Sequence, residues 1–242
     1  MGLGAKYIED DFLNIARGNV KGVTSIHKFG AVPAMSVNTT GTIWDVSDTI
    51  YPWSAFATPG VLTIPAVNVA DNGHKVKVFG LDADFNMTDE EFVISSSGTV
   101  TGTKIFARVY RAYYYDNTTN ADDINIQRGG VTVARITAGK AQTLMSVYTV
   151  PAGYTAYLTQ GTTSIQYGGD ATVDMFVHYY GQQSFRIGHS GEVAGTGMPY
   201  NYKFTVPIAI PEKSDLDVRT RVRSNNARVT AAFDLILMSN TL

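Results

Sequence analysis

From Val61 to Met238 the chain is a succession of short runs with the two-residue alternation of strands. Turn residues separate the runs, and no segment between them is long enough for a crossover helix, so parallel α/β architectures are disfavoured. Runs are expected near Leu62, over Val76 to Leu81, Glu91 to Ile94, Ile105 to Tyr114, Ile124 to Gln127 and Val131 to Ile136. They resume over Thr172 to Tyr180, Ser184 to Ile187, Tyr200 to Val206, Leu216 to Val222 and Val229 to Met238. The rhythm predicts an all-β protein, an antiparallel β-sandwich of jelly-roll type.

Three segments show the pattern most clearly. Thr143 to Gln160 reads as an opening hairpin, two runs joined across Pro151, Ala152 and Gly153, with Leu144, Tyr148, Val150, Tyr154, Ala156 and Leu158 in phase. In Asp215 to Arg223, Leu216, Val218, Thr220 and Val222 alternate with Asp215, Asp217, Arg219, Arg221 and Arg223, which predicts one wet face. In Val229 to Leu237 the positions Val229, Ala231, Phe233, Leu235 and Leu237 are all apolar, the signature of a core strand. The turn Ser224 to Ala227, with its two asparagines, is expected to join these last two runs as a closing antiparallel hairpin.

The N-terminal part reads differently. Tyr7, Ile8, Phe12 and Ile15 fall near helical spacing, Glu9, Asp10 and Asp11 suit the positive end of a helix dipole, and Gly18 can stop the helix after Arg17. From Gly22 to Pro65 prolines, glycines and both tryptophans suggest an extended arm with a few short strands, lying on its own sheet or on a neighbouring subunit. The expected division is therefore a helix and extended arm over 1–60 and a β-sandwich domain over 61–242. Asn117 to Asp123 is a candidate loop tip and Gly188 to Gly197 a candidate flexible loop. The opening MGLGAKYIEDD lacks a secretion-signal pattern, Lys6 stands where a myristoylation motif needs Ser or Thr, and no apolar run reaches membrane-spanning length.

Charge and chemistry-bearing residues point away from catalysis. A net charge of −2 offers no whole-molecule attraction to nucleic acid or anionic membrane, and without cysteine there are no disulfides, thiolate nucleophiles or Cys-ligated metals. Asp82, Asp84 and Asn86 begin a calcium-loop pattern, yet Met87 occupies the glycine position and Val93 the bidentate glutamate position, so a hairpin turn is the competing reading. The histidines at 27, 74, 178 and 189 are too dispersed for a sequence-local metal pair; His178 is expected to be tucked on a strand and His189 solvated. The carboxylate pairs Asp10–Asp11, Glu90–Glu91 and Asp122–Asp123 sit in polar surroundings that suggest exposed turns. No nucleophile elbow or phosphate loop is present, and neither enzyme activity nor a cofactor is expected.

Binding surfaces are the better prospect. Arg219, Arg221 and Arg223 should project from one strand face, as a polyanion ladder or, the favoured reading, as a solvated edge or an ionic subunit contact. Tyr113, Tyr114 and Tyr115 must alternate between faces, so some rings lie outside the local core, where tyrosine suits protein interfaces or sugar platforms. The interface candidates are Phe29, Trp44, Trp53, Tyr113, Tyr115, Arg219, Arg221 and Arg223.

Several segments taken together, NIARGNVKGVTSIHKFG (14–30), TIWD (42–45), VFGLDADFN (78–86), QTLMSVYTVPAGYTAYLT (142–159) and AAFDLILM (231–238), resemble a family of virion structural proteins of tailed bacteriophages, notably marine phages and cyanophages. The resemblance implies assembly and supplies no catalytic residues. It leads to the expectation of a capsid-decorating (cement) protein, made in the host cytoplasm and located in the virion. Its expected partners are further copies of itself, a trimer among the options, and other virion proteins such as the major capsid or neck proteins, with no membrane or nucleic-acid partner. The alternatives are a neck, tail or fibre adaptor, or a host-glycan-binding module that uses exposed Tyr and Trp.

Overall fold

The computed structural model describes residues 11–116, 118–167, 169–195 and 199–241. One short helix, α1 (Asp11–Ala16), is followed by Gly18 at φ 72°, a left-handed position that glycine adopts without strain and that ends the helix as anticipated. Tyr7, Ile8, Glu9 and Asp10 lie outside the described residues. Apart from two 3-10 turns, Trp53–Phe56 and Val69–Asp71, the remaining regular elements among the described residues are antiparallel strands.

The strands are β1 (Val23–Met35), β2 (Thr40–Thr42), β3 (Thr63–Ile64), β4 (Lys75–Leu81), β5 (Met87–Val93), β6 (Val100–Thr101), β7 (Arg108–Tyr114), β8 (Ile124–Arg128) and β9 (Val131–Ile136). Then come β10 (Val147–Thr149), β11 (Tyr154–Gln166), β12 (Ala171–His178), β13 (Arg186–Val193), β14 (Tyr200–Ile210), β15 (Asp215–Val222) and β16 (Ala227–Ser239). One sheet has the order β1-β16-β11-β14 and a second β10-β15-β12-β13, with β2 sharing the β10 edge of β15. Two smaller sheets, β6-β3-β8-β9 and β5-β4-β7, come from the intervening stretch of chain.

Pairings in the first two sheets nest. β1 pairs with β16, β2 with β15, β11 with β14 and β12 with β13, so successive pairs alternate between sheets. Apolar residues from both sheets turn inward to one core, where Met35, Tyr148, Leu158, Val173, Leu216 and Phe233 meet. Val229, Ala231, Phe233, Leu235 and Leu237 are all buried, as their alternation requires. A second core lies among the two smaller sheets and includes Trp44, Tyr51, Leu62, Val78, Phe106 and Ile126.

Both expected hairpins are instead crossings between sheets. β10 pairs with β15 whereas β11 lies between β14 and β16, so residues 150–153 carry the chain from one sheet to the other, with Gly153 at φ 77°. Likewise β15 and β16 are in opposite sheets. A turn between two alternating runs defines a change of direction, and a sandwich can use that turn for a change of sheet.

The stretch read as an arm is built in. β1 pairs with β16 from Val23↔Met238 to Met35↔Ala227, and at Gly30 an added Cβ would collide with the Ile43 carbonyl oxygen, so only glycine allows this close approach of backbones. Residues 186–193 of the glycine-rich segment form β13; Thr196 and Gly197 fall outside the described residues. In the polar stretch after Asn117, itself outside the described residues, Asn120 is only 2% exposed. Its amide donates to the carbonyls of Asp122, Ile136 and Thr137 and accepts from Ala141 N–H, which makes it an anchor in place of a tip.

Candidate functional site

The two cores meet along a polar seam centred on β15. Asp215 and Asp217, assigned by alternation to a wet face, are 2% and 0% exposed because β7 and the 53–56 turn cover that face. Burial of two carboxylates requires that their oxygens be bonded. Asp215 receives Arg108 Nε and Nη2 at 2.8 and 2.9 Å and Thr149 Oγ1 at 2.6 Å. Asp217 receives Thr42 Oγ1 at 2.7 Å, Trp53 Nε1 at 3.0 Å and Arg219 Nε at 2.8 Å. The Arg108 pair is bidentate and joins β7 of the second core to β15 of the first.

Farther along the seam Lys28 of β1 is 2% exposed and donates to the Tyr110 carbonyl of β7. Burial, aided by the Arg111 charge, holds its ammonium well below the ordinary lysine range. Arg111 Nη2 in turn donates to the His27 carbonyl at 2.5 Å, and Tyr51 Oη to the Val109 carbonyl at 3.3 Å. Asp45, after β2, accepts from Thr137 Oγ1 at 2.7 Å through Oδ2, while its buried Oδ1 has no partner among the described residues. Desolvation outweighs that hydrogen bond, and the carboxyl is raised to about 6.

At one end the seam opens into a cleft of about 350 Å³ lined by Trp53, Phe85, Phe185, Arg108, His178 and Asp215. Arg108 carries its guanidinium 5.6 Å from the Trp53 ring centre and 5.4 Å from that of Phe85. His178 lies 3.5 Å from Asp215 through Nδ1 and bonds the Gln182 carbonyl through Nε2 at 2.8 Å, so it is tucked as expected. Lys213, outside the lining, sits with Nζ 5.9 Å from the Phe85 ring and 5.2 Å from the Tyr180 ring.

The sequence-derived binding residues do not converge on one surface. Trp44 is 2% exposed within the second core, stacked edge-on against Tyr51, and so cannot serve a neighbour. Trp53 is half-buried at the cleft; Phe29 and Tyr113 are half-buried, and Tyr115 is 62% exposed. The arginine ladder is broken, since Arg219 folds in between the rings of Phe176 and Phe185 and pairs with Asp217, whereas Arg221 and Arg223 reach solvent.

Asp82 closes its own hairpin turn: Oδ1 accepts from the N–H groups of Asp84 and Asn86 at 2.9 and 2.8 Å. Among the described residues no group of three or more His, Asp or Glu side chains is placed to hold a metal. His189, expected to be solvated, is half-buried: Tyr202 and Phe204 lie against its ring at 4.3 and 5.2 Å, and burial lowers its pKa. Asp10 lies outside the described residues, and of the other paired carboxylates Glu90 is buried and accepts from Thr103 N–H and Oγ1 at 2.6 and 2.9 Å.

Arg108, Asp215 and Asp217 were the residues that sequence reasoning passed over as site members. One signal was available: Arg108 interrupts the apolar run IFARVY, and a charge inside such a run calls for a partner.

No family model matches the chain, and no curated protein does. Among solved structures, the infectious bursal disease virus Gt strain aligns over 90% of this chain and 72% of that chain at 11% identity, with a TM-score of 0.27. The VP2 subviral particle of the same virus aligns over 91% and 73% at 10% identity, with a TM-score of 0.26. At these scores the matches assign the chain to no family.

Proposed function

We propose that this chain is a non-enzymatic structural protein of a phage virion, a capsid-decorating component that assembles with copies of itself on the particle. The observation that carries the reading is the nested pairing of β1·β16, β2·β15, β11·β14 and β12·β13. A folded ribbon whose rungs alternate between two facing sheets is a jelly roll, an architecture used by viral capsid and lectin domains. The chain from β3 to β9 is then an insertion between its second and third strands. The segments resembling tailed-phage virion proteins narrow the reading from capsid-like to decorating, since fold alone does not set function.

Assembly uses the free edges in this reading. β13 and β14 are edge strands, Ile187 is 56% and Val206 79% exposed, and Val206 stands in a bulge where Leu158 pairs with Ile208 but Gln160 with Lys203. The N-terminal segment as a docking arm is set aside, because β1 is an integral strand.

Purified particles should contain the protein, with its density repeated by symmetry on the capsid in a cryo-electron map. Light scattering should give a multiple of 26.2 kDa for the isolated chain, and Val206→Glu with Ile187→Asp should reduce it to that mass. Absence from particles defeats the virion assignment. A wild-type chain that stays at 26.2 kDa at micromolar concentration defeats self-assembly.

A further inference from the structure

We propose that the seam cleft is a binding site for an acidic saccharide, its carboxylate held by Arg108 and Lys213 and its ring lodged between Phe85 and Trp53. The inference stands independently of the virion assignment. Three observations carry it.

The first is the state of Arg108. Its guanidinium has five N–H donors, and three are engaged, two by Asp215 and one by the Ala107 carbonyl. Donors on Nη1 and Nη2 remain in a cleft whose walls are aromatic, and an anionic planar acceptor satisfies them. Lys213 adds a positive charge beside Phe85, without a carboxylate partner among the described residues, its ammonium near the rings of Phe85 and Tyr180.

The second is Phe85. It holds φ 66°, a left-handed conformation costly for a bulky side chain, where Asn or Gly would serve a turn better. Local bonds hold it there: its N–H donates to the Asp82 carbonyl at 3.0 Å, and its own carbonyl accepts from Ala152 N–H at 2.9 Å. The result is an aromatic ring at the cleft, where it meets Arg108, Lys213 and, edge-on, Tyr180.

The third is the composition of the lining. Trp53, Phe85 and Phe185 supply flat surfaces on which the C–H face of a pyranose packs, while the two unused Arg108 donors supply the polar contact. A volume of about 350 Å³ at the meeting of two cores suits one or two such rings.

The test uses the full chain and its own fluorescence. Of the two tryptophans only Trp53 lies in the cleft, Trp44 being 2% exposed in the core, so Trp53 emission reports occupancy. Titration with galacturonate and glucuronate, and with their oligomers, should shift it, and neutral galactose and glucose should bind about tenfold more weakly. Phe85→Gly removes the ring and relieves the backbone, so the protein stays folded while uronate binding falls about tenfold. Lys213→Asn, at a position with φ 60°, should weaken uronates and leave neutral sugars unchanged. No uronate binding by about 10 mM, equal binding of neutral sugars, or binding unaltered in a folded Phe85→Gly variant would each overturn the proposal.

Discussion

The two cores differ in where their strands come from. The second gathers residues 44–147, and its hairpins β4–β5 and β8–β9 pair neighbours in sequence. The first joins the ends of the described chain, Val23 opposite Met238, and inserts β11 between β16 and β14. Loop-closure entropy grows only slowly with length, by about 0.6 kcal/mol per doubling, so such a core is thermodynamically accessible but slow to assemble. On this ground the second core is expected to form before the first, whose strands are distant in sequence. The seam around Asp215 and Asp217 joins the two through the Arg108 pair, and they are expected to unfold together.

Removing the seam's main ion pair should have the largest effect. Arg108→Met leaves Asp215 buried without its bidentate partner, an expected loss of about 3–5 kcal/mol. Calorimetry should then resolve two transitions where the wild type shows one; a single transition at unchanged temperature would mean that the cores do not communicate through this pair.

Cavities come next. Phe233→Ala in the first core and Phe106→Ala in the second should each cost about 3–4 kcal/mol, since both rings are buried. Hydrogen exchange sharpens the contrast: Phe233→Ala should open β1, β11 and β16 before β4 and β8, and Phe106→Ala the reverse. Equal loss of protection everywhere would argue for one inseparable core.

The smallest effect is a pH slope. Burial raises the Asp45 carboxyl to about 6 from 3.8, so between those values the folded chain keeps a proton that the unfolded chain has released. Stability must fall as pH rises through that window, by up to about 3 kcal/mol, because each tenfold difference in proton affinity between the two states is worth about 1.4 kcal/mol. Asp45→Asn should recover up to that amount above neutrality in urea melts and change little below pH ~4. Lys28 acts in the opposite sense at higher pH: with its folded pKa lowered by burial, stability rises as the ammonium deprotonates.

Much of this architecture was readable in advance. Alternation located the strands of β4, β8, β9 and β16 almost to their ends and oriented Val229 to Leu237 inward, because side-chain alternation is a property of the local backbone. The long β1 was missed since its glycine and proline, Gly30 and Pro33, read as breakers, while in the fold Gly30 marks a close backbone crossing. Of the candidate site, Trp53 was named from its residue type, but Phe85 was hidden inside a turn that looked like a calcium loop.

What the residue order determined, then, is that the chain forms antiparallel strands and which side of most of them is apolar. Only the tertiary structure decided which sheet each strand joins, that β10–β11 and β15–β16 cross between sheets, and that Asp215 and Asp217 are sealed. The reason is physical. Pleat and period are set within a few residues, whereas ladder partners and burial depend on segments as distant as Val23 and Met238, and a carboxylate on a strand reads as wet until another strand covers it.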